Sequence, residues 1–426
     1  MNRERLCIKN WKGNKMRRLI LLSNSFPYDT NEAYLESEVL YYDSFDRTDI
    51  FALSVQKGKK MRKMPNYNIH ITPVFFKGKL YYLLRCIFLL GNKDFYKEIK
   101  KLKNNNALSL NRVKRLIVFL VRAEYETKYI VKNLIKDKNI KKDKVILYSY
   151  RFEYQAYIAM KIKKMFPYMT CVARAHRYDL YEELNSEKYI PFREEILETL
   201  DKIILISEDG KKYLEKKYPK YISKYMISKL GTQDFGLGKQ KRKHVFRIAT
   251  CSYIVPVKQL DKLIDSLKLL SYEIEWVHFG NGVLYQEIKE KALKELPKNI
   301  HACFMGFVEN KKVLDFYQKH IVNLFINVSS SEGIPVSVME AISFGIPCIV
   351  TNVGGNGEII HDKKNGYLLE KDFQAQDLAK LIKKIIEMSE EEYRELCDNA
   401  RMFWEKEYSA DKNYKKFVSE LIEMNQ

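Results

Sequence analysis

Residues 329–358 read SSSEGIPVSVMEAISFGIPCIVTNVGGNGE, and the parsing of this stretch decides the fold of the chain. Just before it, residues 322–327 (VNLFIN) form an apolar run long enough for one buried strand. A polar loop follows at residues 329–333. Pro335 fits the first turn of a helix, where its missing N–H breaks no bond. That helix is expected to run to about Phe344 and to stop at Gly345, a residue suited to the position after a helix end. Residues 347–351 (PCIVT) read as the next buried strand, and Gly354 and Gly355 open the loop after it. Strand, loop, helix, strand, loop is the parallel crossover unit of α/β proteins.

Two carboxylates mark this unit. Glu332 sits in the loop at the end of a strand, and Glu340 lies about a turn and a half into the helix. In open α/β sheets, ligands bind outside the carboxyl ends of the strands. A helix N-terminus there attracts phosphate through its free N–H groups and its dipole. Carboxylates repel phosphate but accept hydrogen bonds from hydroxyls. The two features together suit a ligand with phosphates in its middle and hydroxyls on each side, as in a nucleotide-sugar.

The stretch resembles the family-4 retaining glycosyltransferases of the GT-B fold. Their signature is Glu, seven residues, Glu, here Glu332 and Glu340. Ser-x-Glu-Gly precedes it, Glu-Ala-x-x-x-Gly-x-Pro follows, and Gly-Gly-x-x-Glu recurs as Gly354, Gly355 and Glu358.

The chain has 426 residues, and two domains of about 200 residues each are expected. Hydrophobic residues make up 46%, with few Gly and Pro, so no large disordered region is expected. Seven cysteines are scattered without paired spacing. Cys171, Cys251, Cys303 and Cys348 lie in or beside apolar strand-like runs. They read as buried free thiols of a reducing compartment, not as a disulfide set or a zinc site. Residues 1–18 are basic but lack the apolar core and cleavage site of a signal peptide. Residues 80–90 (LYYLLRCIFLL) contain Arg85 and fall short of the ~20 residues a membrane span needs. The expected location is cytoplasmic, extending to the inner face of the cell membrane. A net charge of +21 asks for an anionic partner. On charge alone, nucleic acid, an acidic membrane surface and an anionic substrate all stay open.

Residues 18–23 (RLILLS) are the first expected strand, leading into Asn24-Ser25-Phe26-Pro27 and a helix capped near Thr30 or Asn31. Residues 49–55 are the second strand, and a basic loop follows at 57–63 (KGKKMRK). Within residues 77–92, Leu80, Leu83, Leu84, Ile87 and Phe88 recur at helical spacing behind basic residues. This suits either a membrane-surface helix or one packed on the sheet. A long helix is expected around 113–135. Residues 144–150, 170–173 and 202–206 are the other strands of this half, and His176 and Asp179 follow the middle one. The charged stretch from 235 to 244 lacks apolar periodicity and reads as linker. Beyond it come strands at 246–252, 275–279 and 299–307. Lys258 stands before a helix with Leu260, Leu263, Ile264, Leu267 and Leu270 on one face. A helix dipole disfavours a cation at that end, and a shared anion removes the conflict. Helices are expected at 373–386, 390–404 and 412–424. The division is residues 18–235, a linker at 236–245, residues 246–408, and a last helix at 409–426.

The resemblance implies two Rossmann-like domains whose parallel sheets face a cleft, with the last helix crossing back to the first domain. It implies an acceptor on the first domain and a nucleotide-sugar donor on the second. By position, Glu332 meets the hydroxyls of the donor sugar and Glu340 those of the ribose. Lys258 neutralises the diphosphate, and His176 contacts the sugar from across the cleft. Glu332, His176 and Lys258 are the implied catalytic set. Gly333, Ile334, Pro335 and Ser337 at the helix start, with Tyr253, Gly306 and Asn24, complete the donor-binding set. The family usually has Arg where Tyr253 stands, and many relatives have Gly-Gly in the loop of Asn24. Sugar transfer is expected without metal or other cofactor, to a glycan or lipid-linked saccharide. Two other readings compete: another GT-B enzyme, such as a sugar phosphorylase or nucleotide-sugar epimerase, and a basic nucleic-acid-binding protein. The two-glutamate signature argues against the epimerase. No pyridoxal-phosphate lysine motif or nucleic-acid motif supports the others.

Overall fold

Leu19, Ile20, Leu21 and Leu22 are all fully buried, so the first strand reads as an unbroken apolar run instead of an alternating one. A strand buried on both faces belongs to a parallel sheet covered by helices. The computed structural model describes residues 15–28, 32–65, 67–137, 139–185, 187–239 and 245–425. The expected caps Thr30 and Asn31, most of the basic N-terminal stretch 1–18, and linker residues 240–244 lie outside the described residues.

The chain divides into two units. Unit 1 comprises residues 1–205, 210–227 and 415–426. Its strands are β1 (Arg17–Ser23), β2 (Arg47–Val55), β3 (Ile69–Phe75), β4 (Lys144–Ser149), β5 (Thr170–Ala175), β6 (Lys202–Leu205) and β7 (Tyr225–Ile227). They form one sheet in the order β3-β2-β1-β4-β5-β6-β7, every pair parallel. Alternate residues of β1 serve opposite faces. Ile20 and Leu22 join a core with Leu116, Phe119 and Leu120 of the helix Leu110–Lys136. Leu19 and Leu21 join a second core with Phe417, Val418 and Leu421 from the end of the chain.

Unit 2 comprises residues 206–209 and 228–414. Its strands are β8 (Phe246–Cys251), β9 (Ile274–Phe279), β10 (Ile300–Phe304), β11 (Leu324–Asn327), β12 (Cys348–Thr351) and β13 (Gly366–Leu369). Their order is β10-β9-β8-β11-β12-β13, again all parallel. Ile248, Trp276, Leu324 and Ile326 pack against Leu260, Leu263, Ile264 and Leu267 of the helix Leu260–Leu267.

Several expectations change. The division falls between Ile227 and Ser228, ahead of the stretch 236–245 expected as linker, and it changes again within the helix Ala410–Glu423. Pro335 precedes the helix instead of starting it: its ψ of 111° is extended, and the helix is Val336–Ser343. Gly345, at φ 72°, ends that helix as expected. Lys258 is not on the helix after β8. It closes a separate 3-10 turn, Pro256–Lys258, and Gln259 in the left-handed region parts the two. Cys303, expected buried, is exposed, because β10 is an edge strand. Strands β3, β7 and β13 were not expected.

Candidate active site

In unit 2 the chain leaves β8 toward β9 on one side and returns to β11 on the other. The carboxyl ends of β8 and β11 therefore flank the topological switch point, where open α/β sheets hold their ligands. The loops leaving those two ends carry Lys258 and Glu332. Lys258 Nζ lies 2.5 Å from Glu332 Oε1, with both side chains partly buried. Asn327, the last residue of β11, donates through Nδ2 to the same oxygen at 3.2 Å. Asn327 is itself oriented, since its Oδ1 accepts from the Ser329 N–H and hydroxyl at 3.1 and 2.7 Å. The Ser330 N–H donates to the Val257 carbonyl at 2.8 Å, joining the two loops directly.

The loop after β12 closes this platform from the other side. Gly355 donates its N–H to the Gly333 carbonyl at 2.7 Å. Gly354 has φ +51°, and a Cβ there would lie 2.1 Å from the Glu332 carbonyl oxygen. Only glycine lets this backbone press against the one that presents Glu332. Ile334 and Pro335 are buried beneath the loop, and Ser337 is the second residue of the helix Val336–Ser343. The free N–H groups of a helix's first turn lie at this end.

Glu340 sits farther along that helix, and its Oε1 accepts from Asn310 Nδ2 at 2.9 Å. Burial pushes its carboxyl up to about 7, against the Asn310 hydrogen bond, which pulls it down. Burial, and then the Glu340 charge, push the thiol of Cys251 at the end of β8 up to about 12. Tyr253 in the loop after β8 is 65% exposed, and Gly306 at φ 66° follows β10. Glu358 is not left open: its two oxygens accept the N–H groups of Glu208 and Asp209 at 2.8 Å each, within the same unit.

Asn24 and His176 belong to unit 1. Asn24 follows β1, at the switch point between β1 and β4. Its N–H and those of Ser25 and Phe26 all donate to the carboxylate of Glu32 at 2.9–3.0 Å. Arg151, after β4, approaches Glu32 to 3.6 Å. His176 follows β5, and its ring packs on Tyr150 with centroids 4.7 Å apart. Its backbone N–H donates to Asp179 Oδ1 at 2.5 Å, while both ring nitrogens are buried beyond hydrogen-bond distance of a partner, Nδ1 standing 3.8 Å from Asp179 Oδ2. Burial lowers the pKa of this imidazole, which is neutral near pH 7.

Residues 237–403 match the family of glycosyl transferases group 1. The chain is similar to curated proteins of several organisms. An uncharacterized glycosyltransferase of Methanocaldococcus jannaschii is 29% identical over 218 residues, 48% of this chain and 56% of the relative. The O-antigen biosynthesis glycosyltransferase WbnH of Escherichia coli is 37% identical over 116 residues, 27% of this chain and 30% of the relative. The chain thus spans between about a third and about half the length of these relatives. Among solved structures, the lipopolysaccharide outer core galactosyltransferase WaaB in its apo form superposes with a TM-score of 0.68 at 15% identity, covering 96% of this chain and 100% of that one. Anabaena HepE in complex with UDP-glucose gives 0.65 at 12% identity, with the same coverage. The fold is GT-B, and the stretch that matches the group 1 model contains Lys258, Glu332 and Glu340.

Sequence reasoning placed those three residues but missed Asn327, Asn310 and the use of Glu32. Asn327 had a signal, a polar residue closing a buried apolar strand. Glu32 and Asn310 carried none beyond charge or polarity.

Proposed function

We propose that this protein moves a sugar from a nucleoside-diphosphate sugar to a growing glycan or lipid-linked saccharide, with retention at the anomeric carbon. The observation that carries this reading is the Lys258–Glu332 pair at the switch point of unit 2. Without ligand, the ammonium and the carboxylate satisfy each other. A diphosphate offers the ammonium a larger negative charge, and the carboxylate is then released to accept from sugar hydroxyls. As the bond between the sugar and the diphosphate breaks, negative charge gathers on the departing phosphate. Lys258 and the N–H groups at the start of the helix Val336–Ser343 stabilise that charge. The acceptor oxygen attacks from the face the diphosphate leaves, so configuration is retained. Glu340 and Asn310 hold the ribose. Asn24, at the carboxyl end of β1, belongs to the proposed donor set. His176, neutral and at the carboxyl end of β5, meets the sugar being moved. Relatives named for O-antigen biosynthesis support a surface-polysaccharide acceptor.

The test is release of nucleoside diphosphate from a panel of nucleotide-sugars, paired with thermal shift on the same ligands. One donor is expected to raise the melting temperature and to turn over. Lys258→Met is expected to lower turnover about 10²–10³-fold, the loss typical of one charge-stabilising donor. If no nucleotide-sugar shifts the melting temperature or releases its diphosphate, the reading fails.

A further inference from the structure

After β3, the helix Lys79–Arg85 and the 3-10 turn Cys86–Gly91 run across unit 1. Their inner side is accounted for: Leu89 is buried, and Tyr82 and Cys86 pack against the same core. The outer side is also apolar. Leu80, Leu83, Leu84, Ile87, Phe88 and Leu90 are each 66–70% exposed. A helical segment apolar all round belongs in a core or a membrane, and an exposed contiguous apolar patch of this kind marks an interaction site.

Charge says what kind of partner. Residues 50–93 contain nine Lys and Arg and no Asp or Glu. Several of these basic residues lie beside the start of the segment or within it. β2 and β3 end side by side, with Val55 paired to Phe75 and the Phe76 N–H donating to the Val55 carbonyl at 3.0 Å. The turn holding Lys57 and Lys60 and the segment holding Lys77 therefore leave the sheet next to one another, and all three lysines are exposed. Within the patch, the Arg85 guanidinium lies over the rings of Tyr81 and Phe88, at 5.0 and 5.8 Å. A long cationic side chain that keeps its stem on apolar surface is suited to a membrane interface. Among the described residues, no helix is long and apolar enough to cross a membrane.

We infer that residues 80–90 dock in the plane of an anionic bilayer, their six exposed apolar side chains entering the acyl boundary while the neighbouring lysines meet acidic headgroups. Two weak attractions acting together give reversible anchoring, which neither provides alone. The segment leaves the carboxyl end of β3, the sheet edge that also carries the loop after β1. The inference rests on unit 1 alone and holds whatever sugar is moved.

Flotation of the full chain with vesicles tests it. At low salt the protein is expected to float with vesicles rich in phosphatidylglycerol and not with phosphatidylcholine alone, and high salt should weaken binding. Leu84→Glu combined with Phe88→Glu should lower binding about tenfold or more, since two large apolar side chains no longer leave water. Its melting temperature should stay near that of the parent, because neither side chain is buried. Lys57→Ser with Lys60→Ser should weaken binding to acidic vesicles selectively. The inference is overturned if the protein stays at the bottom of the gradient with acidic vesicles at low salt, or if the Leu84/Phe88 variant binds as well as the parent. A dimer in solution that this variant splits, with no vesicle binding by either form, also overturns it and assigns the patch to a second copy of the chain.

Discussion

Glu340 is the residue whose chemistry is most open to measurement. Burial raises its carboxyl from 4.5 to about 7. A raised folded-state pKa means the fold favours the protonated form. The stability it contributes is complete below about pH 4.5 and is lost as pH rises through about 7. Glu340→Gln stays neutral throughout, so its melting temperature should gain on the parent as pH goes from roughly 5 to 8. Ribose hydroxyls donate to the ionised form. The parent should therefore bind an intact nucleotide-sugar up to about tenfold more tightly per pH unit below 7, levelling off above it. The Gln variant should bind weakly and without this slope, and calorimetry across pH separates the cases. A flat profile for the parent would remove Glu340 from the ribose. Glu340, Glu332 and Lys258 were legible in the sequence because a fixed spacing ties each to a strand end or a helix. Asn310 and Asn327 were not, because an Asn at a helix start or strand end usually satisfies only local backbone.

At the scale of elements, the unit 2 site is three loops on adjacent strand ends, locked by backbone contacts more than by side chains. Gly354→Ala tests that lock. Its Cβ would fall 2.1 Å from the Glu332 carbonyl oxygen, so the β12 loop or the Glu332 loop must move. The expected loss is about 2–4 kcal/mol in the stability of unit 2, from overpacking and left-handed strain together. Nucleotide-sugar affinity should fall in the same variant, while Gly357→Ala, where the nearest neighbour is a side-chain oxygen at 3.2 Å, should be far milder. Denaturant titration with ligand-induced thermal shift reads both. The central strands of each sheet were legible because both faces are buried, leaving continuous apolar runs. β3, β7 and β13 left weaker signals: β7 and β13 are only three and four residues long. β3 is half-exposed along most of its length and carries Pro73, which an edge strand tolerates and a central one does not. The segment 77–92 was open between packing on the sheet and facing a membrane. The structure buries one side of it and exposes the other.

At the scale of the whole molecule, the expectation concerns what the chain supplies unaided. In the proposed reaction, Lys258 and a helix N-terminus supply the positive charge that meets the leaving diphosphate, so turnover should persist in excess chelator. Loss of activity with chelator, restored by manganese or magnesium, would show that the protein's own charge is insufficient. The two-domain organisation was legible from length and from the second run of strands. The point of division was not, because residues 228–235 read as the end of the first domain, ahead of the charged stretch that reads as linker. In the structure they are tied into unit 2: Thr232 accepts from Trp404 Nε1 at 2.7 Å, and Asp234 pairs with Arg401 at 2.7 Å.

The return of the chain end to unit 1 bears on how the protein is made. Phe417, Val418 and Leu421 complete the core that holds Leu19, Leu21, Tyr148 and Val172. Arg174 lies over the Phe417 ring at 4.2 Å, and Thr170 reaches Asn425 at 3.1 Å. Ribosomes add about 5–20 residues per second, so the chain between residues 228 and 414 takes roughly 10–40 s to appear. During that interval Leu35, Val39 and Tyr42 can cover part of this face of the first sheet, but the part that meets Phe417, Val418 and Leu421 has been synthesised and stays open. The nascent chain carries that apolar strip until the helix Ala410–Glu423 emerges, and a chaperone has the longest access to it there.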